Sequence, residues 1–286
     1  MKILVFSPGY IGGRIVDALR VQGHEVVPVR VEITDEAAVR SALDTHAPDA
    51  VLNCAGKKGA PNVDWCETHQ VETMRSNTIG PLIIAQACVE RGIHFTHLGT
   101  GCVFYGASPD PAGWREEDYA NPSAMYTRTK YAADLVLSQL PNVAIVRLRM
   151  PIDDRPHPGN LIDKLVNYPK IINVENSVTI VEDLVAAVIG VIEKRGTGVF
   201  HAVNPGAMRH RDLIALYEEL VDPTHTNEWI EEKDLLAQCL VAKTRSNNIM
   251  QNRRLPEIGI HMRPIGVALR DCMEKYAREV NKVESP

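Results

Sequence analysis

Residues 2–29 read KILVFSPGYIGGRIVDALRVQGHEVVPV, and this stretch decides the fold. KILVF is an apolar run of strand length, and the apolar residues of IGGRIVDALRVQ recur at the spacing of one helix face. Gly23 then marks a helix end, and HEVVPV has the composition of a second strand. A strand, a glycine turn, a helix and a second strand form a β-α-β unit, which predicts a parallel sheet.

The turn between this first strand and its helix, SPGYIGG, is predicted to bind the pyrophosphate of a dinucleotide. Glycines let the backbone approach the phosphates, and the helix N-terminus attracts their charge. Gly9-x-x-Gly12 keeps this pattern, but Ser7 stands where the first glycine is usual, and Pro8 has no N–H to donate. We therefore expect a working but altered loop that binds its cofactor more weakly. The expected contacts are Ser7, Gly9, Tyr10, Ile11 and Gly12.

Strands and helices alternate along most of the chain, which predicts an α/β fold with a doubly wound parallel sheet. TDEAAVRSALDTH is expected to be a helix with Thr34 as N-cap, and residues 68–92 one long helix. We predict a nucleotide-binding domain over residues 1–150 and about 178–204. A smaller substrate-binding lobe is expected over about 151–177 and 205–286. In such sheets the ligand lies beyond the carboxyl ends of the strands.

Charge, hydropathy and cysteine content argue against several functions. The 286 residues carry a formal net charge of −5, whereas nucleic-acid binding needs a basic face. No apolar run reaches the roughly 20 residues of a membrane helix, and no signal peptide is evident. The six cysteines are scattered without metal-ligand spacing. We therefore expect no metal, no membrane partner and free thiols in a cytoplasmic protein.

Tyr126-x-x-x-Lys130 is the strongest catalytic signal, although the pair alone would also suit a solvated helix face. On a helix this spacing brings the phenol and the ammonium together, and the cation favours the phenolate. Lowering a tyrosine pKa from ~10 to ~7 requires about 4 kcal/mol. Thr100 ends an earlier strand, and Asn77 lies on the intervening helix. Behind a dinucleotide turn, this order of residues resembles the site of the short-chain dehydrogenase/reductase superfamily, which has a Rossmann-type fold.

Five further motifs narrow the resemblance. PNVDWCE, TGCVF, RLRMP, VNPG and RSNN occur in the order found in nucleotide-rhamnose synthase/epimerase-reductases, which are related to dTDP-4-dehydrorhamnose reductase. The likeness implies an enzyme that epimerises UDP-4-keto-6-deoxy-D-glucose at C3 and C5. The enzyme would then reduce the C4 ketone with NADPH, giving UDP-L-rhamnose. No dehydratase domain accompanies these motifs, so we expect another protein to supply the 4-keto sugar.

The resemblance assigns roles to individual residues. Cys102 and Lys164 would be the acid/base pair of the epimerase, because protons beside a ketone are acidic enough to exchange. Their alternatives are a small buried thiol and an ordinary surface amine. Thr100 and Tyr126 would bind the C4 oxygen, with Tyr126 giving it a proton, while Lys130 tunes Tyr126 and holds the cofactor ribose. Further expected cofactor contacts are Cys54, Ala55, Gly56, Asn77 and Met150.

Arg30 follows the second strand, where NAD enzymes usually carry an acid. Its guanidinium suits the 2′-phosphate of NADPH, although Glu32 lies close by and leaves NADH as the alternative cofactor. The nucleotide-sugar substrate is expected to contact Asn62, Asp64, Trp65, Thr100, Asn204, Arg245, Asn247 and Asn248. Asp64 could instead be only a helix N-cap. After the last asparagine, Met250-Gln251 replaces the Leu-Asp pair of the family, which puts that contact in question.

Two other functions remain open from the sequence. One is a 4-reductase that acts after a separate epimerase, which would have no evident use for Cys102 and Lys164. The other is a non-catalytic NADP-binding regulatory subunit on the same fold. The altered glycine loop favours such a subunit, whereas the intact Thr–Tyr–Lys set argues against it. A homodimer formed through paired helices is compatible with the superfamily fold.

Overall fold

The structure, a computed structural model, describes residues 1–60 and 62–284 and is built on a central parallel sheet. The strands are β1 (Lys2–Phe6), β2 (Glu25–Val29), β3 (Ala50–Asn53), β4 (His94–Thr100), β5 (Val143–Leu148), β6 (Pro151–Ile152), β7 (Lys170–Ile172), β8 (Glu175–Asn176), β9 (Thr179–Ile180), β10 (Gly198–Ala202), β11 (Met208–Arg209) and β12 (Glu228–Ile230). Six of them pair in the order β10-β5-β4-β3-β1-β2, and every pairing is parallel. The predicted α/β class and doubly wound sheet are confirmed.

Helices cover both faces of this sheet. They are α1 (Tyr10–Val21), α2 (Glu36–His46), α3 (Trp65–Thr68), α4 (Gln70–Met74), α5 (Gly80–Val89), α6 (Met125–Leu137), α7 (Leu161–Asn167), α8 (Val181–Glu193), α9 (His210–Leu220), α10 (Glu232–Ala237), α11 (Arg254–Glu257) and α12 (Ile265–Glu284). Ile3 and Val5 of β1 pack with α1 and α8, whereas Leu4 and Phe6 pack with α2 and α5. This alternation follows from the two-residue period of a strand buried on both faces.

The first two helices lie close to their predicted limits. α1 is followed by Gly23 with φ 83°, so the predicted helix stop is confirmed. α2 begins after Asp35, whose carboxylate accepts a hydrogen bond from Ala38 N at 3.1 Å. The N-cap predicted at Thr34 is therefore wrong by one residue, because the carboxylate of Asp35 is the group that reaches the free N–H groups of the first turn.

The long helix predicted over residues 68–92 is interrupted by a π-helical stretch, Arg75–Ile79. Pro81 follows this stretch and has no N–H for the carbonyl of Asn77, which a regular α-helix would require. The Asn77 side chain is buried and donates to Lys57 O at 2.9 Å, while its oxygen accepts from Lys57 N at 2.7 Å. The irregular turn thus coincides with a predicted cofactor residue, as is common for π-helical turns.

The division into two domains remains a proposal. α8 and β10 pack on the central sheet, whereas α7, α9 and α12 enclose a separate apolar cluster, which supports the predicted boundaries. The segment around α11 departs from them. Leu255, Ile260 and Met262 belong to the apolar cluster beneath α1 and α8. This part of the predicted substrate-binding lobe therefore packs with the nucleotide-binding domain.

Pro61, the first residue of the PNVDWCE motif, lies outside the described residues, as do residues 285 and 286. Among the helices that the structure describes, none combines the length and apolarity needed to cross a bilayer. All six cysteines are free thiols. Within the described ranges, no group of three or more His, Cys, Asp and Glu side chains could hold a metal ion. The cytoplasmic location stays a prediction.

Candidate active site

The loop after β1 presents bare backbone at the N-terminus of α1. Gly9 precedes the helix, and a Cβ added there would meet no atom within 4 Å. Gly12, by contrast, is packed, because a Cβ added there would lie 2.9 Å from Cys54 Sγ. No acidic residue lies in the first turn of α1, which contains Tyr10 and Ile11. No acidic side chain of this first turn therefore opposes an anion at the positive end of the helix dipole, and the loop fits a pyrophosphate in spite of its altered motif.

Ser7 has the backbone conformation that glycine usually supplies in such loops. Its φ is 49°, in the left-handed region, and its N–H donates to Val29 O at 2.8 Å. This conformation costs a residue with a Cβ about 1–2 kcal/mol of conformational free energy. The turn therefore survives the loss of the first glycine at a cost in backbone strain. At the start of α1, the Tyr10 ring stacks on the His157 ring, with 3.8 Å between the ring centroids.

Replacing Ser7 by glycine should relieve this strain. We expect Ser7→Gly to raise the free energy of unfolding by about 1 kcal/mol and to tighten NADPH binding, because glycine adopts a positive φ without penalty. Urea unfolding and NADPH titration measure the two effects. Ala47→Gly is a matched control, since Ala47 also has a positive φ (42°) but lies at the end of α2. Lower stability of Ser7→Gly would show that the hydroxyl contributes more than the strain costs.

Two arginines lie near the end of β2. Arg30 follows the strand directly, and its side chain is exposed. Glu32 accepts hydrogen bonds from Thr34 N at 3.1 Å and Thr34 Oγ1 at 2.7 Å, and these bonds hold its pKa below the usual value, with a smaller effect from Arg75. Arg75, which sequence reasoning missed, donates to Thr34 Oγ1 at 2.9 Å. The Glu32 carboxylate near Arg30 is therefore hydrogen-bonded within its own turn. This arrangement favours a bound phosphate at the carboxyl end of β2.

Removing the Arg30 guanidinium should therefore weaken NADPH binding selectively. We expect Arg30→Ala to raise the Kd of NADPH about tenfold or more and to leave the Kd of NADH nearly unchanged, because only NADPH carries the 2′-phosphate. Fluorescence titration with both cofactors measures the ratio. Arg20→Ala, an exposed arginine on α1, is the matched control. Equal weakening of both cofactors would contradict a 2′-phosphate contact.

The residues after β3 form the next part of the cofactor side. Ala55 N donates to Asn53 Oδ1 at 3.0 Å, which fixes the start of the loop. A Cβ added at Gly56 would lie 3.6 Å from Asn77 Oδ1 and 3.9 Å from Lys130 Nζ. The structure thus brings three of the predicted cofactor residues together. Burial raises the pKa of Cys54 to about 12, so its thiol is neutral.

Thr100 and Tyr126 meet at the end of β4. Thr100 is the last residue of that strand, Tyr126 lies in the first turn of α6, and the Thr100 hydroxyl is close enough to the phenol to affect its pKa. Burial raises the pKa of Tyr126 above its ordinary value, and Cys102 adds to the rise, while the Thr100 hydroxyl opposes it. The phenol is therefore protonated at neutral pH. The phenolate that the sequence predicted from a neighbouring lysine is not favoured here.

Lys130 explains this difference. Its Nζ donates to Leu98 O at 2.7 Å and lies 3.0 Å from His97 Nε2. Burial lowers the pKa of Lys130 to about 8 and the pKa of His97 well below 6.5, so the ring is neutral. The ammonium is therefore held by β4, and it is not among the main influences on the Tyr126 pKa. Sequence reasoning missed His97, because no spacing rule links a strand histidine to a helix lysine.

Cys102 and Lys164 approach the same point from different elements. Cys102 lies in the 3-10 turn Gly101–Val103, and its N–H donates to Thr100 Oγ1 at 3.2 Å. Lys164 lies on α7, where burial and the nearby Lys58 lower its pKa and Cys102 opposes them. Both side chains are half-buried. The arrangement therefore differs from both alternatives, a fully buried thiol and an ordinary surface amine.

The predicted substrate loop is joined to the Arg245 segment. Both guanidinium NH2 groups of Arg245 donate to the Asp64 carboxylate at 2.8 Å. Asp64 occupies the N-cap position of α3, but its side chain makes no capping bond there and is bound to Arg245 instead. Asn62 Oδ1 accepts from Asp64 N at 2.8 Å, and the Trp65 ring stacks on His69 at 3.7 Å. Asn62, Asp64, Trp65 and Arg245 thus lie together.

The asparagines after Arg245 support the Cys102 turn. Asn248 is buried and donates to Gly101 O at 3.2 Å and Phe104 O at 2.7 Å, whereas Asn247 Nδ2 donates to Glu232 Oε1 at 2.6 Å. Met250 packs so closely on Gly101 that a Cβ there would not fit. The Met250-Gln251 replacement therefore preserves contact between this segment and the turn.

Two other predicted residues have different surroundings. Asn204 is fully buried, and its NH2 group donates to Asp183 at 2.5 Å and to Arg263 O at 2.9 Å. Both amide protons are used, so this side chain has no donor left for a substrate. Met150 lies two residues after the end of β5 with φ 44°, and its side chain packs against the apolar cluster enclosed by α7, α9 and α12.

Comparison with known proteins identifies relatives along the whole chain. A family model described as the RmlD substrate binding domain matches residues 1–278. A bifunctional dTDP-4-dehydrorhamnose 3,5-epimerase/dTDP-4-dehydrorhamnose reductase from Arabidopsis thaliana is 33% identical over 286 residues, covering 96% of this chain and 91% of its own.

Solved structures agree with these sequence matches. The L780 UDP-rhamnose synthase from Acanthamoeba polyphaga mimivirus superposes with a TM-score of 0.90 at 30% identity, covering 96% of this chain and 99% of its own. A dTDP-4-dehydrorhamnose reductase from Bacillus anthracis, solved in complex with NADP, shares the fold with a TM-score of 0.82 at 19% identity. That alignment covers 97% of this chain and 98% of the other.

Proposed function

The chain belongs to the RmlD substrate binding domain family, and on this premise we propose that it makes UDP-L-rhamnose as a bifunctional 3,5-epimerase/4-reductase. Enzymes of this family are NADPH-dependent nucleotide-sugar reductases, so a non-catalytic subunit is set aside. The proposal rests on four side chains gathered at the end of β4, namely Thr100, Tyr126, Cys102 and Lys164. A reductase alone needs the two hydroxyls and has no use for the thiol and the amine.

Reduction is assigned to the hydroxyl pair. When bound, NADPH supplies a hydride for the C4 carbon of the sugar. Thr100 and Tyr126 bind the C4 oxygen, and Tyr126 gives it a proton as negative charge develops there. The raised pKa of Tyr126 suits this role, because the phenol carries its proton at neutral pH. Lys130, whose Nζ lies close to Gly56, is on the cofactor side and would hold the ribose hydroxyls.

Epimerisation is assigned to the thiol and the amine. The C4 ketone acidifies the protons at C3 and C5, because the resulting carbanion is an enolate whose oxygen the two hydroxyls can stabilise. The Cys102 thiolate removes the proton on one face. Lys164 donates a proton to the opposite face, and its lowered pKa eases this release. Each inversion leaves a thiol and a neutral amine, and proton exchange with water restores the thiolate and the ammonium.

The nucleotide is proposed to be UDP. The relatives include a UDP-rhamnose synthase with nearly the same fold over its whole length, and also a dTDP enzyme. Arg245 is the candidate contact for the diphosphate, because its guanidinium is partly exposed and already bound to a carboxylate of similar geometry on Asp64. Binding of a diphosphate would exchange one anionic partner for another.

Product analysis tests this function. Purified protein is incubated with NADPH and either UDP- or dTDP-4-keto-6-deoxyglucose, and the products are identified by NMR. We expect UDP-L-rhamnose, with a higher kcat/KM for the UDP sugar. Recovery of the unchanged sugar would contradict the proposal. Turnover restricted to an already epimerised UDP-4-keto-L-rhamnose would instead support a 4-reductase acting alone.

A further inference from the structure

Arg149 is a charged side chain buried without a carboxylate partner. It is 0% exposed and is the largest fully buried side chain among the described residues. Its NH2 groups donate to Ser246 Oγ at 3.0 Å, Asn176 Oδ1 at 2.5 Å and the Ser246 carbonyl, all of them neutral acceptors. Its Nε has no partner. Burying an unpaired charge costs free energy, so we expect an anion close to this guanidinium.

Among the described hydrogen-bond partners of the Arg149 guanidinium, the group that can become an anion is the Cys102 thiol. Nη1 of Arg149 donates to Cys102 Sγ at 3.5 Å. Burial lowers the pKa of Arg149, and Cys102 and then Tyr105 oppose that effect, while His210 is a neighbouring base whose own pKa burial lowers. Because the interaction of two charges is mutual, a guanidinium that is stabilised by the thiolate stabilises the thiolate equally.

Other ionisable groups reach Cys102 from the helices around it. Tyr126 faces it from α6 and is protonated at neutral pH, so it adds no charge there. Lys164 faces it from α7 and is a half-buried cation with a lowered pKa. Of the two cations, Arg149 alone is fully buried and hydrogen-bonded to the sulfur. A guanidinium also has a much higher ordinary pKa than an amine, so it holds its charge more firmly when burial disfavours the charged form.

The structure holds Arg149 rigidly in this position. Its N–H donates to Thr179 Oγ1 at 2.9 Å, and the Asn176 oxygen that accepts from its guanidinium also accepts from Asn248 N at 2.9 Å. Asn248 in turn donates to Gly101 O, next to the cysteine. The cation and the sulfur are therefore fixed by one connected set of hydrogen bonds, so little reorganisation is needed when the thiolate forms.

We propose that Arg149 is the fixed counter-ion of the Cys102 thiolate, a positioning residue that stabilises the anionic form from which this sulfur abstracts a proton of the sugar. The thiol proton passes to water when the ion pair forms, and no other reactant is needed. The role in abstraction rests on the proposed epimerase function. The ion pair itself does not, because it is a property of the protein without substrate.

Alkylation by iodoacetamide tests the ion pair, because the thiolate is the reacting form. Mass spectrometry of the Cys102 peptide gives the alkylation rate at neutral pH. Dividing it by the plateau rate at high pH corrects for how easily the reagent reaches the sulfur. We expect Arg149→Met to lower this ratio about tenfold or more and to move the midpoint of the pH profile upward. Arg149→Lys should retain part of the ratio. Exposed Cys239 is the internal control and should be unaffected.

Asn176→Asp provides a second test of the ion pair and leaves the Arg149 guanidinium in place. This variant tests the proposal if Arg149→Met does not fold. The new carboxylate would pair with Arg149 and reduce its effect on the sulfur, so the alkylation ratio should again fall. An unchanged ratio in a folded Arg149→Met, or in Asn176→Asp, overturns the counter-ion. If the wild type shows no exchange at C3 and C5 while alkylation depends on Arg149 as expected, the epimerase proposal fails and the ion pair stands.

Discussion

Replacing Tyr126 by phenylalanine is expected to lower kcat for ketone reduction by about 10²–10⁴-fold, the usual contribution of a general acid. The variant loses the phenol that lies beside Thr100 and carries a proton at neutral pH. Proton exchange at C3 and C5 should fall far less, because Cys102 and Lys164 remain and Thr100 still binds the enolate oxygen. NADPH oxidation measures reduction, and deuterium uptake into the sugar measures exchange.

A matched control separates chemistry from stability. Tyr119 is 85% exposed, so Tyr119→Phe removes the same hydroxyl from a site without such contacts and should leave both rates unchanged. Reduction by Tyr126→Phe at a rate near that of the wild type would rule out the phenol as the proton donor. Equal loss of reduction and exchange would indicate a damaged site and would contradict the separate roles.

Replacing Cys102 by alanine is expected to give the opposite result. Exchange at C3 and C5 should fall by at least about 10²-fold, because the variant lacks the base for the first proton transfer. Reduction of UDP-4-keto-L-rhamnose, which is already epimerised, should persist, since Thr100 and Tyr126 stay in place. Deuterium incorporation measured by NMR and NADPH oxidation give the two rates on the same preparation.

Cys239→Ala serves as the control, because that cysteine is an exposed free thiol with no role in the proposed mechanism. Exchange that persists in Cys102→Ala would remove the cysteine from the mechanism. Together with Tyr126→Phe, this variant tests whether one site has two separable sets of catalytic groups. Loss of both activities in both variants would contradict that division.

The sheet and its first helix could be predicted because they depend on local patterns. Strands buried on both faces are continuous apolar runs, as in β1 and β3, and this signal needs no knowledge of neighbours. Gly23 ends α1 for a local reason, its positive φ. The order of Thr100, Tyr126 and Lys130 along the chain likewise pointed to one edge of the sheet, because parallel strands end together there.

Contacts across long sequence separations could not be predicted. Arg245 and Asp64 are 181 residues apart, and Arg149 and Ser246 are 97 residues apart, so no periodic pattern links them. The predicted direction of the Tyr126 pKa shift was wrong for a related reason. An i, i+4 spacing predicts that two side chains are near each other, but it does not say whether a backbone carbonyl such as that of Leu98 offers the lysine a better partner.

The central claim is that one site both inverts and reduces the sugar. Wild-type protein with UDP-4-keto-6-deoxy-D-glucose and NADPH in deuterated water tests it most directly, with the product examined by NMR. The account predicts UDP-L-rhamnose that carries deuterium at both C3 and C5, and ordinary hydrogen at C4 delivered from NADPH. A reduced UDP-6-deoxyhexose with unchanged configuration and no deuterium at C3 and C5 would contradict it.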